Sequence, residues 1–127
     1  MLLKECNEAY SAFQKLSGMN LPLKSSWMVA QNMNKLQPLV DTFEEARQKY
    51  IEALREKATP DAAGNPEVSD ELAAEFRENV ESLLNEKQKV RLKKVTLIDD
   101  GKLSIEPQVL IAAMDYLIIE EDGNQAS

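Results

Sequence analysis

Histidine is absent from this chain. That removes the commonest general base, the commonest metal ligand and every Ser-His or Cys-His nucleophile arrangement. Cysteine occurs once, as Cys6, so no disulfide can form within the chain, and one thiolate with carboxylates is a poor donor set for zinc. The four glycines stand apart at positions 18, 64, 101 and 123, which excludes a glycine-rich phosphate loop. No apolar run approaches the roughly 20 residues needed to span a bilayer. The opening MLLKECNEAY turns polar after two leucines, unlike a secretory leader. We expect no catalytic residue, no cofactor and no metal: a protein made in a reducing cytoplasm that is not an enzyme.

What is present is an ordinary soluble composition, 43% hydrophobic and 29% charged over 127 residues, enough for one domain with a modest core. The net charge of −7 is uneven, with +2 over residues 1–38, −1 over 39–58 and −8 over 59–127. Clustered Lys and Arg are needed to hold phosphates, so this balance disfavours nucleic acid.

The chain is organised around one stretch, residues 22–57, in which Leu23, Trp27, Ala30, Met33, Leu36, Val40, Phe43, Ala46, Tyr50 and Leu54 step by three or four residues. That period predicts one long helix with these residues on its covered side. At about 1.5 Å per residue the helix is roughly 54 Å long, more than a compact domain of this size is wide. Pro38 removes the hydrogen bond to the carbonyl of Asn34, and a kink near 38 is expected because the stripe keeps its phase. Before it, residues 2–17 predict a short helix with Leu2, Cys6, Ala9, Phe13 and Leu16 on one side, ended at Gly18 in a left-handed conformation. After it, residues 58–69 predict a loop, and Ser69 caps a helix over 70–87 with a stripe of Leu72, Phe76, Val80, Leu83 and Leu84. This helix folds back on the second half of the long one as a coiled-coil-like antiparallel hairpin, with Glu44–Arg47, Glu45–Lys49 and Glu52–Arg55 as ion pairs.

From Lys89 the period becomes two. Strands are expected over 89–98, with a bulge near Lys93–Lys94, and over 102–105, joined by the turn Asp99-Asp100-Gly101. Pro107 starts a last helix over 107–119, with Leu110, Ala113, Met114 and Leu117 on one face, and 120–127 is an acidic tail. The fold class is mainly α with a small β-hairpin. Trp27, Met33, Phe43, Tyr50, Leu54, Phe76, Val80 and Leu83 are the candidate core or helix–helix interface. Asp99, Asp100, Glu106 and Asp115 are explained by turns and caps more simply than by a cation. The one basic run is 87–94, KQKVRLKK. Lys89, Arg91, Lys93 and Lys94 are candidate partner-binding residues, although charge that keeps an exposed strand edge from pairing explains them better.

The elements LP-x-K (Leu21, Pro22, Lys24), AxNxxK (Ala30, Asn32, Lys35) and EE-x-R-x-K after an aromatic (Phe43, Glu44, Glu45, Arg47, Lys49) resemble a family of small proteins of unknown function encoded by tailed phages and prophages of Gram-positive bacteria. The loop from Asp61 to Asn65 and the closing stretch with Pro107, Leu110, Asp115 and Glu120 are similar too, so the likeness covers most of 20–121. Trp27 stands where a tyrosine is more usual. The resemblance implies a phage origin and carries no site residue. Our expectation is a phage protein acting by protein–protein contact, in virion or tail assembly or as a late accessory product. Its place is the cytoplasm of a bacterial host or the virion, and surplus apolar surface suggests a homo-oligomer. Alternatives are an inhibitor of a bacterial defence system and a small-nucleotide or nucleic-acid binding module.

Overall fold

The computed structural model describes residues 1–60, 62–101 and 103–121, apart from the side chains of Pro66 and Glu121. Asp61, Lys102 and the acidic tail beyond 121 lie outside the described residues. The elements run α1 (Leu3–Ser17), α2 (Leu23–Lys57), β1 (Thr59–Pro60), β2 (Pro66–Glu67), α3 (Asp70–Leu84), β3 (Val95–Asp99), α4 (Pro107–Ala113), one 3-10 turn (Met114–Tyr116) and β4 (Leu117–Glu121). The molecule is mainly helical with a small β component, as its periodicity predicts.

The core lies at one end of α2. Cys6, Ala9, Phe13 and Leu16 of α1 are buried, as the stripe of that helix requires, and meet Val29 and Leu36 of α2, Val95 and Leu97 of β3, and Val109 and Ala113 of α4. Phe43 is the last buried residue of α2, and α3 has none. The far half of α2 and the start of α3 therefore cover each other in a thin layer, along a shallow groove between Tyr50, Leu54, Leu72 and Phe76. Ser69 Oγ accepts from the Leu72 N–H at 3.2 Å, the expected cap of α3. Of the three helical ion pairs, Glu44–Arg47 forms at 3.3 Å, and it is the only one of them present among the described residues.

Several expectations are corrected. Gly18 ends α1 at φ −83°, in the right-handed region, so no left-handed residue is needed there. α2, by contrast, runs as one helix through Pro38, as the unbroken phase of its stripe predicts. An interior proline is about 3 kcal/mol worse than alanine in a helix, less roughly 1 kcal/mol for the stiffer unfolded chain. We therefore expect Pro38→Ala to stabilise the protein by about 2 kcal/mol, read as a raised urea midpoint.

The loop 58–69 contains a minimal antiparallel pairing, Thr59 with Glu67 and Pro60 with Pro66, turned at Gly64 with φ +83°. Among the described residues the predicted hairpin of 89–98 with 102–105 does not form. Its turn does, with Gly101 at φ +82° donating its N–H to Asp99 Oδ1 at 3.0 Å. Instead β3 pairs in parallel with β4, Val95 with Leu117 through Asp99 with Glu121. The last helix accordingly stops at Ala113 rather than 119. Parallel strands need a crossover, which α4 supplies, making a small βαβ unit. The run Leu117-Ile118-Ile119 explains the switch: three consecutive apolar residues, two of them β-branched, cannot share one helix face but suit the two sides of a strand.

Candidate functional site

The side of α2 that meets the core is rotated from the one its apolar spacing predicts. Ser25, Val29, Asn32 and Leu36 are buried, whereas Leu23, Trp27 and Ala30 face outward. A buried polar side chain must be hydrogen-bonded or it opposes folding, and both polar residues on this face are. Asn32 Nδ2 donates to Lys93 O at 2.7 Å, and the Lys93 N–H donates to Asn32 Oδ1 at 2.7 Å. The side-chain amide thus stands in for the neighbouring strand that Lys93 lacks. Ser25 Oγ donates to Thr96 O, and Lys35 Nζ donates to Arg91 O at 2.8 Å.

These anchors are in step. Ten residues of helix rise about 15 Å, and five residues of extended chain span about 17 Å, so one helix face can hold a strand running the opposite way along it. The start of the same segment is fixed by the N-terminal residues: the Leu3 N–H donates to Glu86 O at 2.9 Å and the Gln88 N–H to Met1 O at 2.6 Å. The extended run is therefore docked along its length.

Docking leaves its cations outward. Val90 and Leu92 are half-buried against the core, while Lys87, Lys89, Arg91, Lys93 and Lys94 are exposed. Inward parity shifts from Val90 and Leu92 to Val95 and Leu97, at the expected place near Lys93–Lys94. Among the described residues none of these five cations forms an ion pair with a carboxylate. Side chains of α2 occupy the backbone of Arg91 and Lys93, so at those two residues the run does not offer a free edge.

The candidate interface residues divide. Phe43 is buried, and Met33, Leu54, Phe76, Val80 and Leu83 are half-buried, as expected of core or helix–helix positions. Tyr50 sits at the rim of the groove between α2 and α3. Trp27 is the correction: it is 63% exposed, and Leu23, one turn before it, is 86% exposed. A second exposed apolar group lies at the other end of the chain, Ile111, Met114, Ile118 and Ile119.

Glu106 pairs with Lys15 at 3.3 Å, and no cluster of three or more Cys, Asp or Glu among the described residues is placed to hold a metal ion. Burial pushes the Cys6 thiol upward, which keeps it protonated and a weak nucleophile. Burial also raises Tyr116, whose ring packs 6.4 Å from that of Phe13. Sequence reasoning did not assign roles to Ser25, Asn32 and Lys35. The available signal was a serine and an asparagine seven residues apart, in phase with Val29 and Leu36. No helix among the described residues is long and apolar enough to cross a membrane. Comparison with family models, with curated proteins and with solved structures returned no match to this chain.

Proposed function

We propose that this protein works by docking to another macromolecule through the outward face of the first turns of α2, rather than by turning over a substrate. The observation that carries the reading is Trp27, 63% exposed beside Leu23 on a regular helix. Large apolar side chains on adjacent turns are what protein partners use as anchors, and tryptophan is the most enriched of them. Guided by the resemblance to phage proteins, we take the partner to be a phage structural protein, met during virion or tail assembly. The far half of α2 with α3, read as an antiparallel arm, would extend that contact.

Trp27 is the only tryptophan, so it reports on its own surroundings. Its emission should be that of a solvated indole in the free protein and shift to shorter wavelength in the complex. Leu23→Glu and Trp27→Ala should each weaken partner binding by about 2 kcal/mol or more, with the melting temperature unchanged. Undiminished capture of the same partner by both variants would refute the reading.

Two other readings each have an observation behind them. The acidic side chains of α3, Asp70, Glu71, Glu75, Glu78 and Glu81, suit an inhibitor that occupies a basic site on a host defence protein. The unpaired cations at 89–94 suit phosphate, in a nucleic acid or small nucleotide. Replacing Lys89, Arg91, Lys93 and Lys94 with glutamine tests the latter, and undiminished binding of a labelled oligonucleotide would remove it.

A further inference from the structure

The β3–β4 pair, covered by the core on the side of Val95 and Leu97, is an unusual object to leave with an open edge. Parallel strands are normally buried on both faces, and two strands alone are marginal. Here β4 is bonded to β3 on one side only, and among the described residues its outer edge has no backbone partner. Ile119 and Ile118, 54% and 40% exposed, stand on its two faces, and Ile111 and Met114, shortly before it in the chain, are exposed too. Proteins blunt such edges with lysine, proline, a bulge or a covering segment. Elsewhere in this chain the extended run 87–94 is held by Met1 at Gln88 and by α2 at Arg91 and Lys93, yet Leu117-Ile118-Ile119 carries none of these devices.

The two ends of this small sheet are charged oppositely. Lys93 and Lys94 precede β3, whereas Asp99 and Glu120 lie at the far ends of β3 and β4. We propose that β4 pairs antiparallel with β4 of a second copy of the chain about a twofold axis, joining two two-stranded sheets into one of four. Centred on Ile119, this register sets Ile119 against its own counterpart and Glu120 of each copy against Ile118 of the other. Thr96 is the β3 neighbour of Ile118, and Lys94 lies exposed two residues before it, at the entry to the strand. Each copy's Glu120 thereby approaches the other's Lys94 diagonally, roughly two strand spacings (about 10 Å) across the sheet, within reach of a long side chain. A parallel pairing would instead crowd the acidic ends together. The twofold arrangement satisfies both ends at once, which is why a second copy fits this edge better than an unrelated strand. The edge belongs to β4 and the docking residues Leu23 and Trp27 to α2, so the proposal goes beyond the docking function and does not need it.

Sedimentation velocity between 1 and 200 μM tests it on the whole chain. The parent protein should reach a dimer, and Ile119→Lys should weaken that dimer by at least tenfold while the far-UV circular dichroism is unchanged. Lys94→Glu and Glu120→Lys should each weaken it by about tenfold, and the double variant should recover most of the loss. Both charge positions are exposed, so the swap tests the pairing even if Ile119→Lys perturbs the fold. A parent monomer at 200 μM overturns the proposal, as does a dimer that Ile119→Lys leaves intact or that Trp27→Ala dissolves. Charge variants without effect, or without recovery in the double, overturn the antiparallel arrangement.

Discussion

Phe13→Ala should lose about 3–5 kcal/mol of stability, the range for truncating a fully buried aromatic. Phe13 is the largest side chain with no exposure. It projects from α1 among side chains of the core and packs at a tilt of 49° against Tyr116. Alanine removes the apolar area and leaves a void that the surrounding helices cannot collapse into without shifting α1. A domain of this size has about 5–15 kcal/mol in total, so a large part of the variant population should be unfolded well below the parent midpoint. Urea unfolding followed by circular dichroism measures the loss. Phe76→Ala is the contrast, because Phe76 is half-buried in the thin layer between α2 and α3. Its effect should be no more than about half as large. Equal losses at the two positions would mean that the arm is as well packed as the core.

Asn32→Ala should lose about 2–4 kcal/mol, although the side chain is small and polar. Its amide is the partner of both the N–H and the carbonyl of Lys93. Removing it strands two backbone groups, each worth roughly 1–3 kcal/mol when left unsatisfied, and some water will re-enter to soften the loss. Asn32→Asp separates the two bonds. A carboxylate still accepts from the Lys93 N–H but faces the Lys93 carbonyl with negative charge in a buried position. Burial and that carbonyl favour the protonated acid, so the folded-state pKa of the new carboxyl lies above its unfolded value. The folded state then binds more protons, and the deficit relative to the parent should shrink as pH falls through the folded pKa. A deficit that is independent of pH would place this side chain in water, contrary to its complete burial.

The two variants mark what the sequence could and could not disclose. The stripe of α1 was legible because Cys6, Ala9, Phe13 and Leu16 are small or apolar and leave no second choice of face. The length of α2, the cap at Ser69 and the start of α4 at Pro107 were legible from local chemistry, and the parity change near Lys93–Lys94 from alternation alone. The phase of α2 was not. Apolar spacing gave a face containing Leu23, Trp27 and Ala30, but the face that turned inward carries Ser25 and Asn32, whose partners lie some 60 to 70 residues away. Hydrophobic periodicity does not register a hydrogen bond to a distant backbone. The end of the chain failed for a related reason. Leu117-Ile118-Ile119 extends the apolar pattern of α4, and only the presence of β3 alongside makes a strand the better use of those residues. Of the candidate site residues, Phe43 and the half-buried interface set were readable. The exposure of Trp27 was not, because it depends on which of two faces won.

The matched pitch of Ser25, Asn32 and Lys35 against Thr96, Lys93 and Arg91 also bears on how this chain can vary in length. One inserted residue between Ser25 and Lys35 would rotate everything beyond it by about 100°, carrying Asn32 or Lys35 off the segment it grips. A deletion between Arg91 and Thr96 would present the wrong amide to the wrong side chain. The two stretches that face each other across the helix should therefore keep their spacing in any redesigned version of the protein.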